Sequence, residues 1–428
     1  MKKITILLFG LVLFFAIGLL PEESGAVPSY ARQLQKPCTA CHTIWPNLNQ
    51  YGRQFKVKAY TDVSPEWQMI NKDNLNLLYI FPVSARAVFL PYTKEQDRVA
   101  GINTNSTELD SVALFLGSRV FDYGGVFASA EWSPDDGTIH IPTVKLAFQY
   151  PLGEGNTLGL VAFKGLPTSA DPFNTLGGRD RALTFGDESI PWILTKGWTF
   201  SFWSEENLGV VAHGYFLGNR LYAAVGAMRG GDSADAGFGF TDDKNRDPFD
   251  GFARLAWDQK LPNGAVTLGG AWYTGKQRLL ASDGSTLFES TVNRGYADAS
   301  LEQNFGEDHL VEVQALFGYG KERNVFGGDE TRKFSGFLAE GSYFFQRTVG
   351  LIGAYNMIHV NDVLASDPSF TGTGTDENRK RTWLVALNYL PWLNTKVAVQ
   401  YSETKTKFVG GEPDETDKIF KVVLDVLF

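Results

Sequence analysis

The sequence predicts an all-β fold: a transmembrane β-barrel of about 16 strands, preceded by a small helical N-terminal module. Three observations lead there. From about residue 83 apolar and polar residues alternate with period two, in segments of about ten residues. Short turns and long polar loops alternate between those segments. Mean hydropathy is −0.15, which is unremarkable for a barrel, because its apolar surface is hidden by alternation rather than gathered into runs.

The alternation can be read strand by strand. Val126, Ala128, Ala130 and Trp132 share one face, opposite Ser129 and Glu131. Val144, Leu146, Phe148 and Tyr150 oppose Lys145 and Gln149. Val311, Val313, Ala315, Phe317 and Tyr319 oppose Glu312 and Gln314, and Val397, Val399 and Tyr401 oppose Gln400 and Ser402. In the last segment Phe420, Val422, Leu424, Val426 and Phe428 form one row, and Lys421, Asp425 and Leu427 the other. Each such strand has one face for lipid and one wet face.

Short turns are expected at Tyr123-Gly124-Gly125, Leu152-Gly153-Glu154, Leu217-Gly218-Asn219, Leu261-Pro262-Asn263, Phe305-Gly306-Glu307, Gln346-Arg347 and Leu393-Asn394. Longer loops are expected at 93–110, 133–141, 165–207, 229–248, 276–293, 321–332, 360–380 and 406–416. Seven turns and eight loops connect sixteen strands, an even number with both barrel ends on the short-turn side. The stretch 165–207 is read as loop, since one more strand there would break the alternation. Arg86, Arg119, Glu131, Lys145, Arg254, Asp298, Glu312 and Glu340 fall on the inward face. They are expected to form a solvated pore wall, with opposite charges paired across the lumen.

The first 26 residues read as a secretory signal: Lys2 and Lys3, an apolar run from Ile4 to Leu20, and the small residues Ser24-Gly25-Ala26 before an expected mature start at Val27. Export and a barrel together predict the bacterial outer membrane, with lipid as one partner. Residues 27–82 are then the module and its linker, and 83–428 the barrel. The net charge of −9 argues against a nucleic-acid partner.

Cys38-Thr39-Ala40-Cys41-His42 is the C-x-x-C-H spacing of covalent haem c attachment. Two residues between the thiols let one turn present both to the vinyl edge of a porphyrin. Cys38 and Cys41 are thus the candidate thioether residues and His42 the proximal iron ligand. A redox disulfide has no need of the histidine, and a zinc site would want further soft ligands nearby. Met69, 27 residues past His42, is the nearest candidate distal ligand; Met228, Met357, His140, His213, His309 and His359 are the others outside the signal. No nucleophile triad, phosphate loop or general-acid pair stands out.

The surroundings of the motif are more specific than the motif. They read Ser29-Tyr30-Ala31-Arg32-Gln33, then Cys38 to His42, then Pro46-Asn47-Leu48-Asn49, then Tyr51-Gly52-Arg53-Gln54-Phe55-Lys56 and Tyr60. This segment resembles the fused monohaem cytochrome–porin family of iron-oxidising bacteria, sharply over residues 29–60 and in architecture beyond them. Ala59 departs from it, since many members are expected to carry glycine there. The resemblance implies an oxidoreductase acting on extracellular Fe(II), which passes electrons through one haem c to a periplasmic carrier such as a soluble cytochrome c. It carries over Cys38, Cys41 and His42 as haem residues and no iron-binding residues. Two alternatives share the sequence features: a haem conduit for another donor or acceptor, and a solute porin with a haem plug. For the approach of a cation, loop 229–248 offers Asp232, Asp235, Asp242, Asp243 and Asp247, with Asp250 beyond it, and loop 133–141 adds Asp135 and Asp136.

Overall fold

The computed structural model describes residues 29–43, 47–62, 69–72, 75–78, 82–97, 101, 103–134, 137–164, 208–229, 241–242, 250–280, 286–323, 331–361, 377–392, 394–408 and 414–427. The expected secretory segment, 165–207 and Phe428 lie outside these.

Two short helices, α1 (Ser29–Leu34) and α2 (Gln50–Val57), flank a single 3-10 turn at Cys38–Ala40. A small antiparallel hairpin follows, β1 (Met69–Lys72) with β2 (Leu75–Leu78), inside the stretch expected to be linker. The remaining strands are β3 (Val83–Asp97), β4 (Asn103–Phe121), β5 (Gly124–Trp132), β6 (Ile139–Gly153), β7 (Asn156–Lys164), β8 (Leu208–Phe216), β9 (Leu221–Arg229), β10 (Thr241–Asp242), β11 (Asp250–Leu261), β12 (Gly264–Leu280), β13 (Thr286–Phe305), β14 (His309–Arg323), β15 (Thr331–Phe345), β16 (Val349–Asn361), β17 (Glu377–Trp392), β18 (Thr395–Phe408) and β19 (Glu415–Leu427).

Sixteen strands, β3 to β9 and β11 to β19, form one closed antiparallel barrel. β19 pairs with β3, and β9 pairs with β11; the two-residue β10 adds to the far end of β12. Closure leaves no edge strand to satisfy in a solvent that offers no hydrogen bonds. All seven short turns fall where the sequence places them, and β7 pairs directly with β8 across 165–207, from Lys164↔Leu208 to Thr157↔Tyr215. Several strands run further than the sequence suggests: β3 and β4 use most of 93–110, and β12 and β13 most of 276–293. Polar residues there extend the ladder, so polarity alone overestimated the loops.

Prolines explain most of the ladder's irregularities. Register shifts bracket Pro91 in β3, Pro142 in β6 and Pro391 in β17, and one follows Pro151. Proline has no N–H to donate, so it sits where the pairing slips. At Gln346 and Arg347 both φ angles are positive, +49° and +52°, which is the primed-turn geometry matched to strand twist, here made without glycine.

The two faces separate as the alternation requires. Val144, Leu146, Phe148, Tyr150, Val313, Phe317 and Tyr319 are exposed, forming a belt suited to acyl chains. Lys145, Glu312 and Gln314 are buried. The inner face is not a solvated wall, however. Arg254, Asp298, Glu312 and Glu340 are at most 5% exposed. Arg254 and Asp298 form a bidentate pair at 2.6 and 2.8 Å, reaching over Gly269, where a Cβ would stand 2.8 Å from Asp298 Oδ1. Arg86 pairs with Asp425 at 3.0 Å, on the adjoining strand. These pairs run along the wall between near strands, because the ladder brings such side chains within reach and the opposite wall is too far. Arg119 pairs with Asp122 beside a short turn, and Glu131 is half-buried.

Apolar residues also point inward. One buried cluster joins Phe163, Val211, Tyr222, Phe252, Tyr273, Leu316 and Leu338 of the wall to Phe55, Val57, Ala59 and Tyr60 of the module. A water-filled porin lumen is polar; this one holds a packed core, and the N-terminal module is part of it.

Candidate functional site: the Cys38–His42 turn inside the barrel

Pro37 caps the 3-10 turn, its φ of −65° being set by the ring. Ala40 N donates to Pro37 O at 2.9 Å; Cys41 N and His42 N both donate to Cys38 O, at 3.2 and 2.9 Å. One turn therefore carries both cysteines and ends at His42. Both thiols are free and half-buried. Burial pushes the Cys38 thiol up and Cys41 to about 11, so each is a neutral thiol near pH 7.

The turn is held from one side by the start of α2. Asn49 caps that helix by accepting from Gly52 N at 2.9 Å. Its amide donates back to Thr39 O at 3.2 Å and Ala40 O at 3.0 Å, and its backbone N to Cys41 O at 2.9 Å. A short antiparallel bridge, His42 to Leu48, and Thr43 N to Asn47 O at 3.1 Å close the loop between turn and helix. Gly52 lies against the Cys41 carbonyl: a Cβ there would be 2.1 Å from Cys41 O.

The module is fastened to the inner wall around much of its circumference. Ser29 Oγ and Gln33 Nε2 donate to Gly117 O at 2.6 and 2.7 Å, and Arg32 donates to Val83 O. Tyr30 stacks on Tyr60 at 4.8 Å and donates to Val126 O. Arg53 enters a fully buried acidic site, donating to both oxygens of Asp258 and, at 2.6 Å, to Glu302. Thr43 and Asn47, just past His42, donate to Glu312 at 2.5 and 3.0 Å. His213 lies 3.2 Å from Val57 O. Most of these wall residues lie within about eight residues of a short turn, so the module occupies the short-turn half of the lumen, as its sequence position next to β3 suggests.

The sequence singles out Cys38, Cys41 and His42 but not the residues that hold their turn. Asn49 carried a readable signal, a helix-capping residue before Gln50–Val57. Arg53 falls within the 29–60 segment, but its pairing with Asp258 and Glu302, 205 and 249 residues away, carried no signal. Met69 heads β1 opposite Leu78; its side chain, like that of Met228, lies outside the described set. His140 is exposed and bonded to Thr138, His309 lies beside Tyr343 near a short turn, and His359 and Met357 sit in β16. Of the acidic loop residues, Asp135, Asp136, Asp232, Asp235, Asp243 and Asp247 lie outside the described residues. Asp250 does not belong to that group: it turns inward, buried, and accepts from Tyr273.

The donor set fits a haem c. Two free thiols on one turn with a histidine immediately after them are what two thioethers and one axial nitrogen require.

Comparison with solved structures gives the architecture. An anion-selective porin from Comamonas acidovorans superposes with a TM-score of 0.51 at 12% identity, over 81% of this chain and 99% of that one. The fold is a porin fold. The outer-membrane channel DcaP of Acinetobacter baumannii gives 0.50 at 11% identity, over 81% and 95%. No family model matches the chain, and no curated protein does.

Proposed function

We propose that this chain is an outer-membrane electron-transfer cytochrome: a porin-type barrel whose lumen holds a haem c module, taking electrons from extracellular Fe(II) and passing them to a periplasmic carrier. The observation that carries this reading is the position of Cys38, Cys41 and His42, on one turn anchored inside the barrel. The hydrocarbon layer is an insulator roughly 30 Å thick, so a redox centre is useful only where it shortens the electron's path. A module hanging free in the periplasm would not do so.

The attached haem supplies reversible one-electron chemistry at its iron. The chain supplies the rest. Cys38 and Cys41 would hold the group covalently, and His42 would furnish a nitrogen to its iron. Arg53, with Thr43 and Asn47 on Glu312, fixes the depth of the turn in the barrel. Each Fe(II) yields one electron and leaves as Fe(III); oxidation at the cell surface keeps the insoluble product outside. Fe(II) as donor rests on the resemblance across residues 29–60, and the barrel's apolar belt with the expected secretory segment supports the outer membrane.

The second reading is a solute pore in which the module is a plug, and the porin fold of the two neighbours favours it. The two readings separate in one pair of measurements. Stopped-flow mixing of the oxidised, haem-loaded protein with Fe(II) should reduce the haem band in a single kinetic phase on the proposed reading. Planar bilayers should show steady ion conductance on the other.

A further inference from the structure

We propose that Asn49, seconded by Gly52, is the positioning residue of the Cys38–His42 turn. This rests on the haem reading of that turn and goes beyond it, by naming what holds the turn in the attachment geometry.

Asn49 does two separable jobs with one amide. Its oxygen caps α2 through Gly52 N at 2.9 Å. Its nitrogen donates to Thr39 O and Ala40 O, at 3.2 and 3.0 Å, and its own backbone N takes Cys41 O at 2.9 Å. Three successive carbonyls at the end of the 3-10 turn are thus satisfied by one residue. A single turn makes few internal hydrogen bonds, and its last carbonyls have no partner unless another segment provides one. Here that partner is also the first residue of the helix cap, so the turn's orientation is tied to the axis of α2.

Gly52 makes the tie close. With a Cβ 2.1 Å from Cys41 O and 3.0 Å from Leu48 Cδ2, no other residue fits without moving Cys41 or the helix. The helix is itself fixed to the barrel through Arg53, the next residue, at Asp258 and Glu302. A chain of contacts therefore runs from the wall through Arg53, Gly52 and Asn49 to Cys41 and His42. The backbone positions of Cys41 and His42 are thus set by this chain of contacts as well as by the turn itself. Groups that orient an axial ligand tune the iron as the ligand itself does.

The test uses the full-length protein with Asn49→Asp, Asn49→Ala and Gly52→Ala. Asn49→Asp keeps an oxygen for Gly52 N and loses both donated bonds, whereas Asn49→Ala loses the cap as well. Barrel assembly, read by heat-modifiability, should be unchanged in all three. Covalent haem per assembled barrel should fall roughly tenfold in Asn49→Asp and in Asn49→Ala alike, and the haem that remains should have a shifted midpoint potential and visible band. If Asn49→Asp has the haem content, potential and band of the parent, Asn49 is only a helix cap and the proposal fails. If the parent chain itself carries no covalent haem, the haem reading fails, and alkylation of the Cys41 thiol decides the clamp by itself. In that case Cys41 should react about tenfold faster in Asn49→Asp than in the parent, and equal rates overturn the proposal.

Discussion

Arg53 and Asp258 lie 205 residues apart in sequence and meet side-on inside the barrel, Nη2 to Oδ1 at 2.9 Å and Nε to Oδ2 at 3.1 Å. Asp258 also accepts from Tyr215 and Thr267, and Arg53 reaches Glu302, so the buried charges are paired and hydrogen-bonded. This contact joins the module to the wall most directly.

Breaking one side of a buried ion pair costs about 3–5 kcal/mol, because the other charge stays behind uncompensated. Arg53→Ala strands two carboxylates and should release α2 from the wall. We expect limited proteolysis to cut the module in Arg53→Ala barrels under conditions that leave the parent intact, and bilayer conductance to rise. Unchanged protection and conductance would show that the α1 and Thr43–Asn47 contacts suffice.

The cysteines should be dispensable for the barrel. No barrel strand contains Cys38 or Cys41, so Cys38→Ala or Cys41→Ala should abolish covalent haem stain while the heat-modifiable band persists. Stain surviving in the double substitution would remove the attachment assignment.

Ala59 and Gly125 form a tight contact with opposite expectations for each partner. Ala59 has φ +53°, in the left-handed region at the end of α2, and is fully buried. Glycine takes that conformation at less cost, so Ala59→Gly should leave stability equal or raise it by up to about 1 kcal/mol. At Gly125 a Cβ would lie 2.3 Å from Ala59 O, and Gly125→Ala should destabilise module docking by about 1–3 kcal/mol. Thermal unfolding with a probe in the module tests both, and equal shifts of the same sign would contradict this contact.

Barrel orientation is tested by two single cysteines. Thr104, exposed near the β3–β4 connection, lies at the long-loop end, and Glu307, exposed in a short turn, lies at the other. An impermeant thiol reagent on intact cells should label Thr104→Cys at once and Glu307→Cys only after the outer membrane is opened. The reverse pattern would invert the barrel and place the module outside.

What could be read in the residues follows from how local each constraint is. Period-two alternation forces a strand wherever one face is lipid and the other is not, so Val144 to Tyr150 and Val311 to Tyr319 declared their faces unaided. Glycine and asparagine at Leu217-Gly218-Asn219 marked a turn that indeed has three positive φ angles. Cys38, Cys41 and His42 are a motif within one turn, legible without a fold. The even strand count followed from connections that alternate in length.

Other features needed the folded chain. Whether Glu312 faces water, a cation across the lumen or the module depends on what fills the barrel, and it receives Thr43 and Asn47 from 269 and 265 residues away. The inward charges read as a solvated wall because alternation reports only which way a side chain points. Closure of β19 onto β3, and the insertion of α2 beside β11 and β13, decided that Arg254, Asp298 and Glu312 are buried and hydrogen-bonded. Direction along a strand is a property of the neighbouring residues; occupancy of the space it points into belongs to distant segments, and only the tertiary structure brings them there.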